Sequence, residues 1–94
     1  MIRSRVIVSG EVQGVFYRDT CRREATAQGV RGWVRNLSDG TVEAVFEGTS
    51  AAVRRMVEWT GQGPPLAIVD RVLVWEEQPE GLTGFEIRAT PWPG

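Results

Sequence analysis

Apolar and polar positions along this chain alternate with a period of two in some stretches and recur near 3.6 in others, which divides it into strands and helices. Residues 5–9, Arg-Val-Ile-Val-Ser, are β-branched and run into Gly10, so they predict a first, central strand with Val6 and Val8 on one face. From Asp19 to Gln28 the chain is rich in Ala, Arg and Glu, and Cys21, Ala25 and Gln28 recur at helical spacing. This predicts a first helix, with Asp19 or Thr20 as its cap. Residues 30–37 and 41–47 flank Ser38-Asp39-Gly40, and an Asp-Gly between two alternating runs predicts a hairpin. In the second run Val42, Ala44 and Phe46 alternate with Thr41, Glu43, Val45 and Glu47, the pattern of a sheet whose second face is wet.

Ala52, Val53, Met56, Val57 and Thr60 form the stripe of an amphipathic second helix over 50–60, with Gly61 expected to close it. The breaker Gly61-Gln62-Gly63-Pro64-Pro65 leads to a strand over about 67–77. A turn at 81–84 precedes a short strand at 85–88, which Pro91 and Pro93 end. The order is βαββαβ plus a last short strand. Its most economical solution is an α+β sandwich of the ferredoxin-like kind, a mostly antiparallel sheet of four to five strands with two helices on one face. At 94 residues the expectation is a single domain over 1–94. That architecture serves unrelated functions, including RNA binding and ligand sensing, so function has to be read from a site.

Composition narrows the chemistry. There is no His and no Lys, so all 11 basic residues are Arg. Ser-His and Cys-His catalysis, a Schiff-base lysine, a phosphate loop ending in Gly-Lys-Ser/Thr and histidine-based metal sites each lose a required member. Cys21 is the only cysteine, which excludes an intramolecular disulfide and a cysteine zinc cluster; no metal or other cofactor is expected. A cysteine phosphatase needs its Arg six positions after the thiolate, and position 27 is Ala, so Cys21 reads as core. The N-terminal apolar run Val6-Ile7-Val8 is too short for a signal peptide or membrane span, and a cytoplasmic monomer with no membrane partner is the expectation. On the same ground Asn36-Leu37-Ser38 is discounted as a glycosylation site.

Charge is unevenly spread. Residues 1–35 hold seven Arg against three acids, a net +4, and residues 36–94 hold four Arg against nine acids, a net −5. The N-terminal third can attract a small anion. The near-zero total speaks against a nucleic-acid partner. Trp33 and Arg35, on one strand face, are a weak hint of RNA binding without the aromatic-rich strand pattern it needs.

Gly10-Glu11-Val12-Gln13-Gly14-Val15-Phe16-Tyr17-Arg18 lies between the first strand and the first helix. A loop running into a helix N-terminus offers unpaired N–H groups and the positive end of the helix dipole, and Arg18 adds a planar, permanently charged fork for phosphate oxygens. The candidate phosphate cradle is therefore the backbone of Gln13, Gly14, Val15, Phe16, Tyr17 and Arg18. Asn36, near the end of the strand entering the hairpin, either bonds the turn backbone or holds a water.

The segments GEVQGVFYR and GWVRNLSDGTVE resemble the two signatures of the acylphosphatase family, Gly-x-Val-Gln-Gly-Val-x-x-Arg and Gly-Trp-Val-x-Asn-x-x-Asp-Gly-x-Val. The likeness continues weakly through Gly63-Pro64-Pro65, Val72-x-Val74 and Phe85-x-Ile87-Arg88. Tyr17 stands where Phe is commoner, and Trp92 lies where many members have an aromatic soon after the last strand. The resemblance implies the ferredoxin-like sandwich, metal-free hydrolysis of small acyl phosphates, Arg18 as phosphate ligand and Asn36 as the residue that positions water. Such a substrate suits a chain without His or Lys, because a carboxylate leaving group needs no general acid. A non-enzymatic phosphate-binding module is the alternative.

Overall fold

The computed structural model describes residues 1–92. Seven elements follow one another: β1 (Ile2–Glu11), α1 (Tyr17–Ala27), β2 (Arg31–Asn36), β3 (Val42–Gly48), α2 (Ser50–Gln62), β4 (Ile68–Glu77) and β5 (Phe85–Ile87). They build a five-stranded sheet in the order β4-β1-β3-β2-β5, antiparallel except for the β2–β5 pair. This is the ferredoxin-like α+β arrangement, with an extra parallel strand at one edge. Both helices pack on one face: Cys21 and Ala25 of α1 and Ala52, Val53 and Met56 of α2 share a core with Val6, Val8, Val34, Ala44 and Phe46 of the strands.

β1 and β2 are each antiparallel to β3, and β5 is parallel to β2, so β1, β2 and β5 all end at the same rim of the sheet. That rim receives the β1–α1 loop, the end of β2 and the end of β5. The Val8–Val42–Asn36 register puts Asn36 there on the helix side, the face it shares with Val34.

Several expected boundaries move, each for a local reason. β1 extends past Gly10 to Glu11, with a bulge against β4 between Ser9 and Gly10. Gly10 takes φ 126°, and a Cβ there would stand 2.2 Å from the Ile68 carbonyl oxygen, so it serves close strand approach rather than the loop beyond. α1 begins at Tyr17, two residues early, and neither Asp19 nor Thr20 caps it: the N-cap is Phe16, with no side-chain cap bond. α2 runs through Gly61 and stops at Gly63, whose φ of 68° takes the chain out of the helix. Pro93, expected with Pro91 to end the last strand, lies outside the described residues, and Trp92 stands 91% exposed.

The expected wet face of β3 is a larger correction. Glu43, Val45 and Glu47 are 7%, 0% and 0% exposed. As the middle strand, β3 is covered there by Arg3, Arg5 and Arg35, which pair with Glu47, Glu43 and Glu77, and Glu47 also binds the backbone of 80–82. Trp33, on the same face, lies under the guanidinium groups of Arg35 and Arg88 at 4.6 and 4.9 Å and is buried.

Candidate active site

The loop between β1 and α1 is shaped by two left-handed residues, Gly14 with φ 75° and Phe16 with φ 64°. Glycine adopts this region freely, whereas an aromatic residue there stores strain. The turn at Phe16 leads directly into the first turn of α1. Among the described residues, neither a backbone carbonyl nor a side chain accepts from the N–H groups of residues 13–18. The start of α1 is therefore an uncapped ring of donors at the positive end of a helix dipole, a ready anion site.

Tyr17 contributes its backbone to that ring, while its side chain is core. The ring is 2% exposed, packs at 5.2 Å against Trp59, and its hydroxyl donates to the Thr60 carbonyl at 2.7 Å. That carbonyl lies in the last turn of α2, where no helical partner exists, so the hydroxyl a Phe would lack ties the start of α1 to the end of α2. Burial pushes the Tyr17 hydroxyl and the Cys21 thiol well above their ordinary values. Cys21, 0% exposed, is a core residue and no nucleophile.

Gln13, expected to contribute only its backbone, has a further role. Its side-chain amide donates to the carbonyls of Leu37 at 2.8 Å and Thr41 at 2.9 Å, which clamps the loop to the base of the β2–β3 hairpin. Sequence carried no signal for this link, since both acceptors are main-chain atoms more than twenty positions away.

Within the hairpin, Asp39 takes the part that Asn36 was free to play. Its carboxylate accepts from the Thr41 amide at 3.0 Å and the Thr41 hydroxyl at 2.6 Å, contacts that hold it below the usual carboxylate value, the hydroxyl contributing most. Asn36 makes no turn bond. Its Oδ1 is buried and, among the described residues, is the one buried side-chain polar atom without a partner. Such atoms are rare and call for an explanation.

Asn36, Arg18, Gly14 and Phe16 line a single cavity of about 370 Å³, together with Val12 and Ile87. The size suits a small molecule, near the lower end of the roughly 300–1,000 Å³ typical of ligand sites. Asp19 also borders it, but its carboxylate is engaged by Arg23 at 2.9 Å and Arg22 at 3.5 Å. Among the described residues no carboxylate pairs with Arg18. Of the expected site residues, the cavity thus brings together Arg18, Asn36, Gly14, Phe16 and Tyr17; the side chain of Gln13 is turned to the hairpin, and Val15 is packed against the core. Ile87 was not foreseen, because only the β2–β5 pairing brings it to this rim.

The fold and this rim define an α+β sandwich with an anion-receptive helix N-terminus, one Arg and one unpartnered amide. Known proteins identify the line of descent. The family model described as Acylphosphatase matches residues 4–87, and the chain belongs to the acylphosphatase family, whose members are hydrolases. It is 57% identical over 86 residues to an acylphosphatase of Gloeobacter violaceus, covering 92% of both chains. To an acylphosphatase of Haloarcula marismortui it is 58% identical, covering 92% of this chain and 94% of that one. The crystal structure of acylphosphatase from Bacillus subtilis superposes with a TM-score of 0.90 at 38% identity, covering 94% of this chain and 99% of that chain. No helix of the described residues is long and apolar enough to cross a membrane.

Proposed function

We propose that this chain hydrolyses the carboxyl–phosphate bond of small acyl phosphates without a metal, with the phosphate held by the 13–18 loop and Arg18 and the attacking water oriented by Asn36. The observation that carries this reading is Asn36, whose side-chain oxygen has no hydrogen-bond partner among the described residues, in the lining of the same cavity as Arg18 and the uncapped start of α1. An amide side chain in the lining beside an anion site supports a water held by that amide with its lone pair toward phosphorus.

In the reaction the water oxygen bonds to phosphorus as the bond from phosphorus to the acyl oxygen breaks. The bonding pair leaves with the carboxylate, and the water proton passes to a phosphate oxygen, which yields carboxylate and inorganic phosphate. The conjugate acid of the leaving group has a pKa of about 4, against about 10 for a phenol. It departs without a proton donor. What remains is positioning and neutralisation of charge on the phosphoryl oxygens, which backbone amides and one guanidinium supply.

The test is release of phosphate from benzoyl phosphate by the purified chain in EDTA. Turnover is expected there, and activity lost to EDTA and restored by a divalent cation overturns the metal-free reading. Gln13→Ala, which unfastens the loop from the hairpin, is expected to lower kcat about tenfold through misalignment of Arg18 and Asn36. Steady-state kinetics alongside thermal unfolding check this. A kcat equal to that of the parent chain would assign the clamp to folding alone.

A further inference from the structure

Phe16 is 72% exposed and sits at φ 64°, so the chain holds a large apolar side chain in water on a strained backbone. Neither packing nor capping explains the choice, for Phe16 lies outside the core cluster and supplies no side-chain cap bond. Asn or Gly would adopt the same conformation at lower cost. Across the same cavity Ile87 presents a second apolar side chain, 37% exposed, from the end of β5. Neither residue offers a phosphate a polar side-chain group. The positive charge in the lining is that of Arg18, which the phosphate uses, and Asp19 adds the only carboxylate.

We propose that Phe16 and Ile87 form the subsite for the acyl group and give the enzyme a preference for acyl phosphates with neutral, apolar acyl parts, aromatic ones above all. This rests on the acyl phosphate reading above. The phosphate fixed at the start of α1 leaves the acyl carbon at the mouth of the cavity, where a flat ring stacks on Phe16 and meets the Ile87 side chain. An acetyl group is too small to reach both. An acyl group that carries its own carboxylate finds no second cation in the lining.

The experiment compares kcat/KM for benzoyl phosphate and acetyl phosphate in the parent chain, Phe16→Asn, Phe16→Tyr and Ile87→Ala. Asn accepts the left-handed backbone, so Phe16→Asn removes the ring while keeping the turn. The benzoyl-to-acetyl ratio is expected to fall about tenfold in Phe16→Asn and about threefold or more in Ile87→Ala, and to be retained in Phe16→Tyr, which keeps the ring. A ratio that stays put in both Phe16→Asn and Ile87→Ala, or a parallel fall for both substrates, overturns the subsite and leaves the hydrolase reading standing. A parent chain that hydrolyses neither compound overturns both.

Discussion

Asn36→Ala is expected to cut turnover of benzoyl phosphate by at least about 10²-fold, the scale of losing one preorganised polar group aimed at the reacting centre, while inorganic phosphate still inhibits as it does in the parent chain. The separation follows from geometry. In the proposed mechanism phosphate is held by the amides at the start of α1 and by Arg18, whereas Asn36 comes from β2 and acts on the water. Stability should move in the other direction. Oδ1 of Asn36 is buried without a partner, an arrangement that costs roughly 1–3 kcal/mol, so its removal should leave the melting temperature level or raise it. Steady-state kinetics, phosphate inhibition and thermal unfolding on one preparation read all of this. Full activity in Asn36→Ala would sink the mechanism; an equal loss of phosphate binding would move Asn36 from the water to the phosphate.

Arg18 supplies the contrast. Arg18→Ala is expected to weaken phosphate inhibition and turnover together, with turnover down by at least about 10²-fold. Arg18→Lys restores charge without the planar fork, so it should recover binding better than rate.

How far the chain could be read from its residues depends on whether the deciding partner was near in sequence. The period-two and period-3.6 stripes are local, and all seven elements stand where those stripes fall. The left-handed turn at Phe16 left no trace, because an aromatic N-cap breaks the residue preferences by which caps are recognised. Glu43 and Glu47 looked solvated because charge alternating with apolar residues usually means water. Here it means Arg3, Arg5 and Arg35, brought alongside by strand order. Arg18 and Asn36 stood out as candidates through two signature segments, and both line the one cavity. Ile87 and the Gln13 clamp were not, since a parallel edge strand and two main-chain carbonyls decide them.

Glu47→Ala is expected to destabilise the fold severely. The Glu47 carboxylate is 0% exposed and accepts from Arg3 at 2.8 Å and from the amides of Glu80, Gly81 and Leu82 at 2.9, 3.1 and 3.1 Å. Burial opposes its charge, but those donors together outweigh burial and hold the carboxyl below its ordinary value of 4.5. Truncation leaves three amides without their acceptor and Arg3, 7% exposed, with only Glu77 and Glu80. Breaking a buried pair this way costs about 3–5 kcal/mol, a fall in Tm of more than about 12 °C for a chain of this size.

The lowered pKa also fixes the sign of the acid limb. The stability Glu47 contributes is present above its unfolded-state pKa and is lost as pH falls through the lower, folded-state pKa. Glu77, lowered by Arg3 and then Arg5, acts in the same direction from a more exposed position, so its share is smaller. Glu47→Gln keeps the shape without a titrating group, and between pH 3 and 6 its denaturant-unfolding stability should vary less with pH than that of the parent chain. An acid limb of unchanged slope would place the titrating group elsewhere. The amides that Glu47 holds lie in the crossing from β4 to β5, and β5 ends in Ile87. A carboxylate on the face of the sheet away from the helices thus holds in place the strand that closes one side of the cavity.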